Sequence, residues 1–144
     1  MAWRTEHEAK VLRSLRHPWI PRYVDHGAPG PVAYLLMTRA PGQSLQQRMA
    51  RGDRFSDAKL QHVLARLLEV LAYLHDLNPP VFHGDIHPEH VIVSGAGDVQ
   101  LVSFGRARSL LAADPLPAVG RPGYAPPHDP HAGTAAADLY ALGA

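Results

Sequence analysis

Asp85 stands in the histidine-rich string His83-Gly84-Asp85-Ile86-His87-Pro88-Glu89-His90, which runs into the apolar Val91-Ile92-Val93 and is followed further on by Ser103-Phe104-Gly105. A carboxylate in a polar loop between two strand-like runs is placed to orient a hydroxyl group and accept its proton. The competing reading of Asp85 is a loop cap or turn residue. His90 offers an imidazole nitrogen, which suits zinc, nickel or copper far better than magnesium. Ser103 offers a neutral hydroxyl, a weak ligand for a hard cation. His83, His87, His90, His128 and His131 together would suit a transition metal by residue type. That reading is the weaker one: His83 is expected to point into the core, and the other four are spread over two loops with no helix to fix their spacing.

Several elements must position these residues. Ala9, Val11, Leu12 and Leu15 recur at helical spacing from about Thr5 to Arg16, and His17-Pro18 stops the pattern because the residue before proline avoids the α region. Ile20–Asp25 and Val32–Thr38 read as strands joined across the turn-rich Gly27-Ala28-Pro29-Gly30-Pro31. Ser56 is a plausible N-cap for the longest helix, whose stripe Leu60, Val63, Leu64, Leu67, Leu68, Leu71 and Leu74 is expected to bury one broad face. Pro79-Pro80 then breaks the chain before Val81-Phe82 and the polar loop. Val91–Val93 and Val99–Val102 form a second hairpin across Ser94-Gly95-Ala96-Gly97-Asp98. Residues 106–133 turn to Pro, Gly and Ala with little periodicity, as functional segments often do. A last helical pattern begins near Ala135.

Composition bounds the rest. The 144 residues carry 14 Lys and Arg against 13 Asp and Glu, a formal net charge of +1, so no strong field argues for nucleic acid or an anionic membrane surface as partner. The absence of cysteine removes disulfides and thiolate chemistry and suits a cytoplasmic location. The N-terminal residues hold no apolar signal core, and the run around Leu67–Leu74, interrupted by Glu69, is too short to span a bilayer.

The order of elements, together with the strings they carry, resembles the protein-kinase superfamily, and bacterial serine/threonine kinases most of all. Glu8-Ala9-Lys10-Val11-Leu12 with Leu15-Arg16-His17-Pro18 is similar to the family's C helix, Tyr34-Leu35-Leu36-Met37 with Pro41-Gly42 to its hinge strand, and Tyr73-Leu74-His75 to the end of its E helix. Asp85 stands at the base position of the catalytic loop H-R-D-x-x-x-x-N, with His90 in place of the Asn and Ser103 in place of the Asp of D-F-G. Val119-Gly120-Arg121-Pro122-Gly123-Tyr124-Ala125-Pro126-Pro127-His128 is similar to the segment ending in A-P-E. Asp138-Leu139-Tyr140-Ala141-Leu142-Gly143 is similar to the start of the F helix, whose Asp braces the catalytic loop. The resemblance implies an α+β, truncated two-lobed kinase-like fold. Residues 1–40 would be the remnant of the N-lobe, and 41–144 a partial, mostly helical C-lobe ending at the start of the F helix.

It also implies an ATP and Mg²⁺ site: Met37 as gatekeeper, the Thr38 carbonyl and Ala40 N–H facing adenine, Ile92 beneath it, and His90 and Ser103 as degenerate magnesium positions. No glycine-rich loop or phosphate-gripping lysine precedes Glu8 in this sequence, so nucleotide binding is in doubt. Glu8, without that lysine, reads as a solvated helix carboxylate. His87 replaces a lysine near the transferred phosphate, Arg121 a threonine that normally bonds the base, and His128 the A-P-E glutamate. His83, Leu12, Phe104 and Ile92 read as packing residues. The open end at Ala144 is expected to leave apolar surface uncovered.

Three functions compete. The first is a pseudokinase that binds a protein partner; the second is a weakly active serine/threonine kinase within a longer chain, acting on a protein substrate. The third follows from His83-Gly84-Asp85-x-His87-Pro88, which also resembles aminoglycoside and choline phosphotransferases; the Gly123–Pro127 and Asp138–Gly143 strings argue against it. Oligomeric state is open.

Overall fold

The computed structural model describes residues 2–109, 121–127 and 133–144. Helix α1 (Ala2–Ser14) buries Ala9, Val11 and Leu12. Strands β1 (Tyr23–Gly27) and β2 (Tyr34–Met37) pair antiparallel as the hairpin that the Gly/Pro turn requires, with a bulge between Tyr23 and Asp25. Short strand β3 (Gln43–Ser44) leads into helix α2 (Leu45–Ala50). The sequence reading missed this helix, although its start is written in the capping box Ser44-Leu45-Gln46-Gln47: Ser44 Oγ accepts the Gln47 N–H and the Gln47 side chain accepts the Ser44 N–H. Gly42 lies just before β3, and a Cβ there would come within 2.2 Å of the Val93 carbonyl oxygen, so only glycine lets the two backbones approach.

Helix α3 (Asp57–Asp76) is capped as expected, Ser56 Oγ accepting the Lys59 N–H. Its buried stripe is Val63, Leu67, Val70, Leu71 and Leu74. The broad face predicted from the leucine pattern is therefore narrower: Leu60, Leu64 and Leu68 are 43%, 40% and 48% exposed. Helix α3 is covered where it meets β4, β6, α4 and the connection after α1, and Leu60, Leu64 and Leu68 fall outside the buried stripe.

Strand β4 (Val81–Phe82) pairs with β7 (Arg108–Ser109), and β5 (Val91–Val93) lies between β3 and β6 (Val99–Leu101). A 3₁₀ turn, Pro88–His90, enters β5. Helix α4 (Ala135–Gly143) is capped by Thr134, whose side chain accepts the Ala137 N–H. One core joins α1, α3 and the β4–β6 region: Leu12, Leu15, Leu71, Leu74, Val81, Val99, Leu101 and Phe104 are all at most 2% exposed. Leu139 and Tyr140 of α4 remain exposed. No helix among the described residues is long and apolar enough to cross a membrane.

Candidate active site

The loop carrying Asp85 is held from behind by one carboxylate. Asp138, 1% exposed on α4, accepts the His83 N–H through Oδ2 and the Gly84 N–H through Oδ1, both at 2.9 Å. His75, near the end of α3, donates Nε2–H to Oδ2 at 2.9 Å. Three donors satisfy a charge that would otherwise be costly to bury. Gly84 has φ +75, a left-handed conformation that a side chain would strain, and this bend turns two successive N–H groups toward Asp138. The brace expected of Asp138 is thus present in full.

His83 is fully buried and packs edge-on against Phe104, ring centroids 4.8 Å apart. Its Nδ1 accepts the Asp85 N–H and its Nε2 donates to the Val102 carbonyl, which defines the neutral tautomer; burial pushes its pKa down accordingly. The packing role expected of His83, Leu12 and Phe104 matches their burial, whereas Ile92 is only half-buried on β5.

Asp85 is 8% exposed and its carboxylate is occupied. Arg121 donates Nε–H to Oδ1 at 2.8 Å and reaches Oδ2 with a second nitrogen at 3.5 Å. Arg106 Nε and His90 Nδ1 stand 3.7 and 3.6 Å from Oδ2. Burial pushes the Asp85 pKa up, but the Arg121 hydrogen bond and the surrounding positive charge outweigh it and hold the carboxyl below the usual range. Arg121 also reaches Glu89 at 3.4 Å. The sequence reading placed Arg121 where the family has a threonine and did not see that it would pair with Asp85. The signal was a long guanidinium at a position whose neighbour in space is a carboxylate.

The metal positions fare differently. His90 is brought beside Asp85, but its Nδ1 is committed to the Asp85 carbonyl at 2.8 Å, and its own carbonyl accepts the Val102 N–H. Ser103 follows Val102 directly, with φ +66, a left-handed conformation that is uncommon for serine. An imidazole and a neutral hydroxyl do not supply the hard, charged oxygens that magnesium requires, so these residues do not fit that ion. His87 caps the 3₁₀ turn, Nδ1 accepting the Glu89 N–H, and lies between the rings of His90 (5.0 Å) and Tyr124 (5.4 Å). Burial and then Arg121 lower its pKa, which favours the neutral imidazole.

Glu8 corrects the sequence reading. It is not a solvated carboxylate: Oε1 accepts the Phe104 N–H at 2.7 Å, and burial pushes its pKa up. Nearby His7 bonds the Ala107 carbonyl at 2.7 Å, so α1 grips both ends of the Phe104–Ala107 turn. On the hinge side, Met37 packs against the core at the end of β2, and Thr38 exchanges two bonds with Arg22, giving its N–H to the carbonyl and accepting the Arg22 N–H on Oγ1. Ala40 follows in the partly exposed connection to β3. His128 and His131 lie outside the described residues.

Residues 2–144 match the family model for the protein kinase domain. The chain belongs to the protein kinase family. It is 31% identical over 108 residues to a probable serine/threonine-protein kinase, YbdM, of Bacillus subtilis, covering 74% of this chain and 41% of that one. It is 34% identical over 111 residues to serine/threonine-protein kinase pkn2 of Myxococcus xanthus, covering 75% and 13%. Aurora/IPL1-related protein kinase 2 of Caenorhabditis briggsae is 26% identical over 140 residues, covering 96% of this chain and 46% of its own. This kinase-family chain thus spans less than half the length of these relatives. The family generally uses ATP and Mg²⁺, and the α+β architecture corresponds to part of its domain.

Proposed function

We propose that this kinase-family chain works as a pseudokinase, a binding module for a protein partner, with phosphoryl transfer strongly impaired. The observation that carries this reading is the 2.8 Å contact between Arg121 and Asp85. A general base must reach the substrate hydroxyl, and here its oxygens are held by a guanidinium while its proton affinity is lowered. The substituted metal positions compound the loss. Removing one preorganised electrostatic partner costs about 3–4 kcal/mol, roughly 10²–10³ in rate, and two such partners have been replaced. ATP would lie along Met37, Thr38, Ala40 and Ile92, without the ordinary magnesium.

The test is incorporation of labelled γ-phosphate from ATP with Mg²⁺ or Mn²⁺. The expected result is no signal above that of Asp85→Asn; transfer that disappears in Asp85→Asn overturns the proposal. The second reading, a weakly active serine/threonine kinase within a longer chain, draws on the intact Asp138 brace, which keeps Asp85 in a shaped loop. It requires that His90→Asn with Ser103→Asp raise Mg²⁺-dependent ATP affinity, and an unchanged affinity counts against it.

A further inference from the structure

The β1–β2 hairpin holds Val24, Val32, Tyr34 and Leu36 in solvent, while Leu35 and Met37 pack against the core on the side that meets α1. Its two edges differ. Strand β1 carries the bulge between Tyr23 and Asp25 and the charge of Asp25, devices that discourage a further strand. Strand β2 is Tyr34-Leu35-Leu36-Met37, with no charge, no proline and no bulge of its own. Among the described residues it pairs with β1 alone. Thr38 gives its N–H to the Arg22 carbonyl across the hairpin. Backbone groups alternate sides along a strand, so those of Tyr34 and Leu36 also face β1, and the N–H and C=O of Leu35 and Met37 point to the outer edge.

We propose that this edge pairs antiparallel with the same edge of a second copy of the chain, about a two-fold axis through Leu36. In that register Leu35 of each copy exchanges both backbone bonds with Met37 of the other, so every outward group of the strand is paired. Leu36 faces Leu36 as a non-hydrogen-bonded pair, and Tyr34 faces Thr38. No like charges meet, and the exposed apolar faces of the two hairpins join across a four-stranded sheet. The symmetric register selects the second copy as occupant: the strand is its own complement, and a two-fold contact closes at two chains. Four residues from each copy make a contact smaller than the about 1,200–2,000 Å² of a stable interface, so association is weak and set by concentration.

The experiment is sedimentation equilibrium of the full chain from about 10 µM to about 1 mM, with half-dimerisation expected at about 100 µM. The mass should rise from 15.7 kDa to twice that and no further. Leu36→Lys puts like charge opposite itself on the axis; it should weaken the dimer at least about tenfold while melting with the parent, because Leu36 is 53% exposed. Leu68→Lys, at a similarly exposed position on α3, should dimerise as the parent does. The chain has no cysteine, so Leu36→Cys supplies one thiol per copy. Cα atoms about 4.5 Å apart across such a pair lie within disulfide reach, and mild oxidation should link Leu36→Cys at least about tenfold faster than Leu68→Cys. A chain still monomeric at about 1 mM overturns the second copy and leaves the edge to a strand of another protein. Growth past the dimer overturns the closed two-fold contact, and equal behaviour of the Leu36 and Leu68 variants overturns the edge. Asp85→Asn should change none of these readings, so the outcome stands apart from that of the phosphate-incorporation test.

Discussion

The loop that carries Asp85 has two faces, and they have been treated differently. Behind it, Asp138 takes three donors from His83, Gly84 and His75 in a nearly dry environment. In front, Asp85 meets Arg121, Arg106 and His90, on a side where Arg121 is 35% exposed. The rear satisfies backbone groups that any chain following this path must satisfy; the front is made of charged side chains that meet one another. The contrast teaches that the support of this loop and the contacts on its open face are made by different side chains. The buried bracket holds the shape of the loop whatever side chains stand on its open face.

The largest expected effect breaks the rear. Asp138→Ala leaves buried N–H groups of His83 and Gly84 unpaired, and unfolding by urea should show a loss of about 3–5 kcal/mol. An effect under about 1 kcal/mol would mean that the bracket carries no weight.

Glu8 belongs to the same support, one step further out. Glu8→Ala should cost about 1–3 kcal/mol, because the Phe104 N–H loses its acceptor. Glu8→Gln should cost clearly less, since the amide oxygen still accepts and a desolvated charge is removed. Equal losses in the two variants would point to packing instead of the hydrogen bond.

The front should yield less. Arg121→Thr is expected to cost about 1–2 kcal/mol, at the low end because solvent screens a partly exposed guanidinium and Arg106 and His90 stay near Asp85. It should move the Asp85 pKa upward as well, since burial persists while the leading stabiliser of the anion is gone. An NMR titration of the Asp85 carboxyl reads this directly, and an unmoved pKa would show that the clamp is not what sets it. In the parent protein the clamp's contribution is present above the unfolded carboxyl pKa and is lost only as pH falls through the lower folded value.

The smallest effect is a pH slope. His83 is held neutral by burial, with its folded pKa below the unfolded value of about 6.5. The unfolded chain therefore binds the proton first, and stability should begin to fall as pH drops below about 6.5. His17 and His87, lowered in the same direction, add to the slope. His83→Gln should flatten part of it; a slope unchanged in that variant assigns the whole effect to the other two.

Much of this molecule is readable from residue pattern. The hairpin around Gly27–Pro31, the Ser56 cap and the start of α4 follow from local turn, capping and periodicity signals, and the brace at Asp138 was implied by the family resemblance of a short string. The leucine stripe of α3 misled because periodicity shows which residues share a face but not how much of that face a neighbour covers. Arg121 and Glu8 misled because each was judged by the family partner it had lost. Arg121 sits 36 residues from Asp85, and Glu8 sits 96 residues from Phe104.

What the sequence alone determined is the resemblance to the family and the order of its longer elements, because the strings that carry the resemblance and the long apolar patterns are properties of residue type and local spacing. Only the tertiary structure decided which charges meet. A carboxylate's proton affinity depends on what stands within a few ångströms of it, and at those distances a guanidinium brought in by a distant segment, together with the positive charge around it, outweighs the carboxylate's burial. Asp85 and Arg121 could be named separately in the chain, but only folding made them a pair.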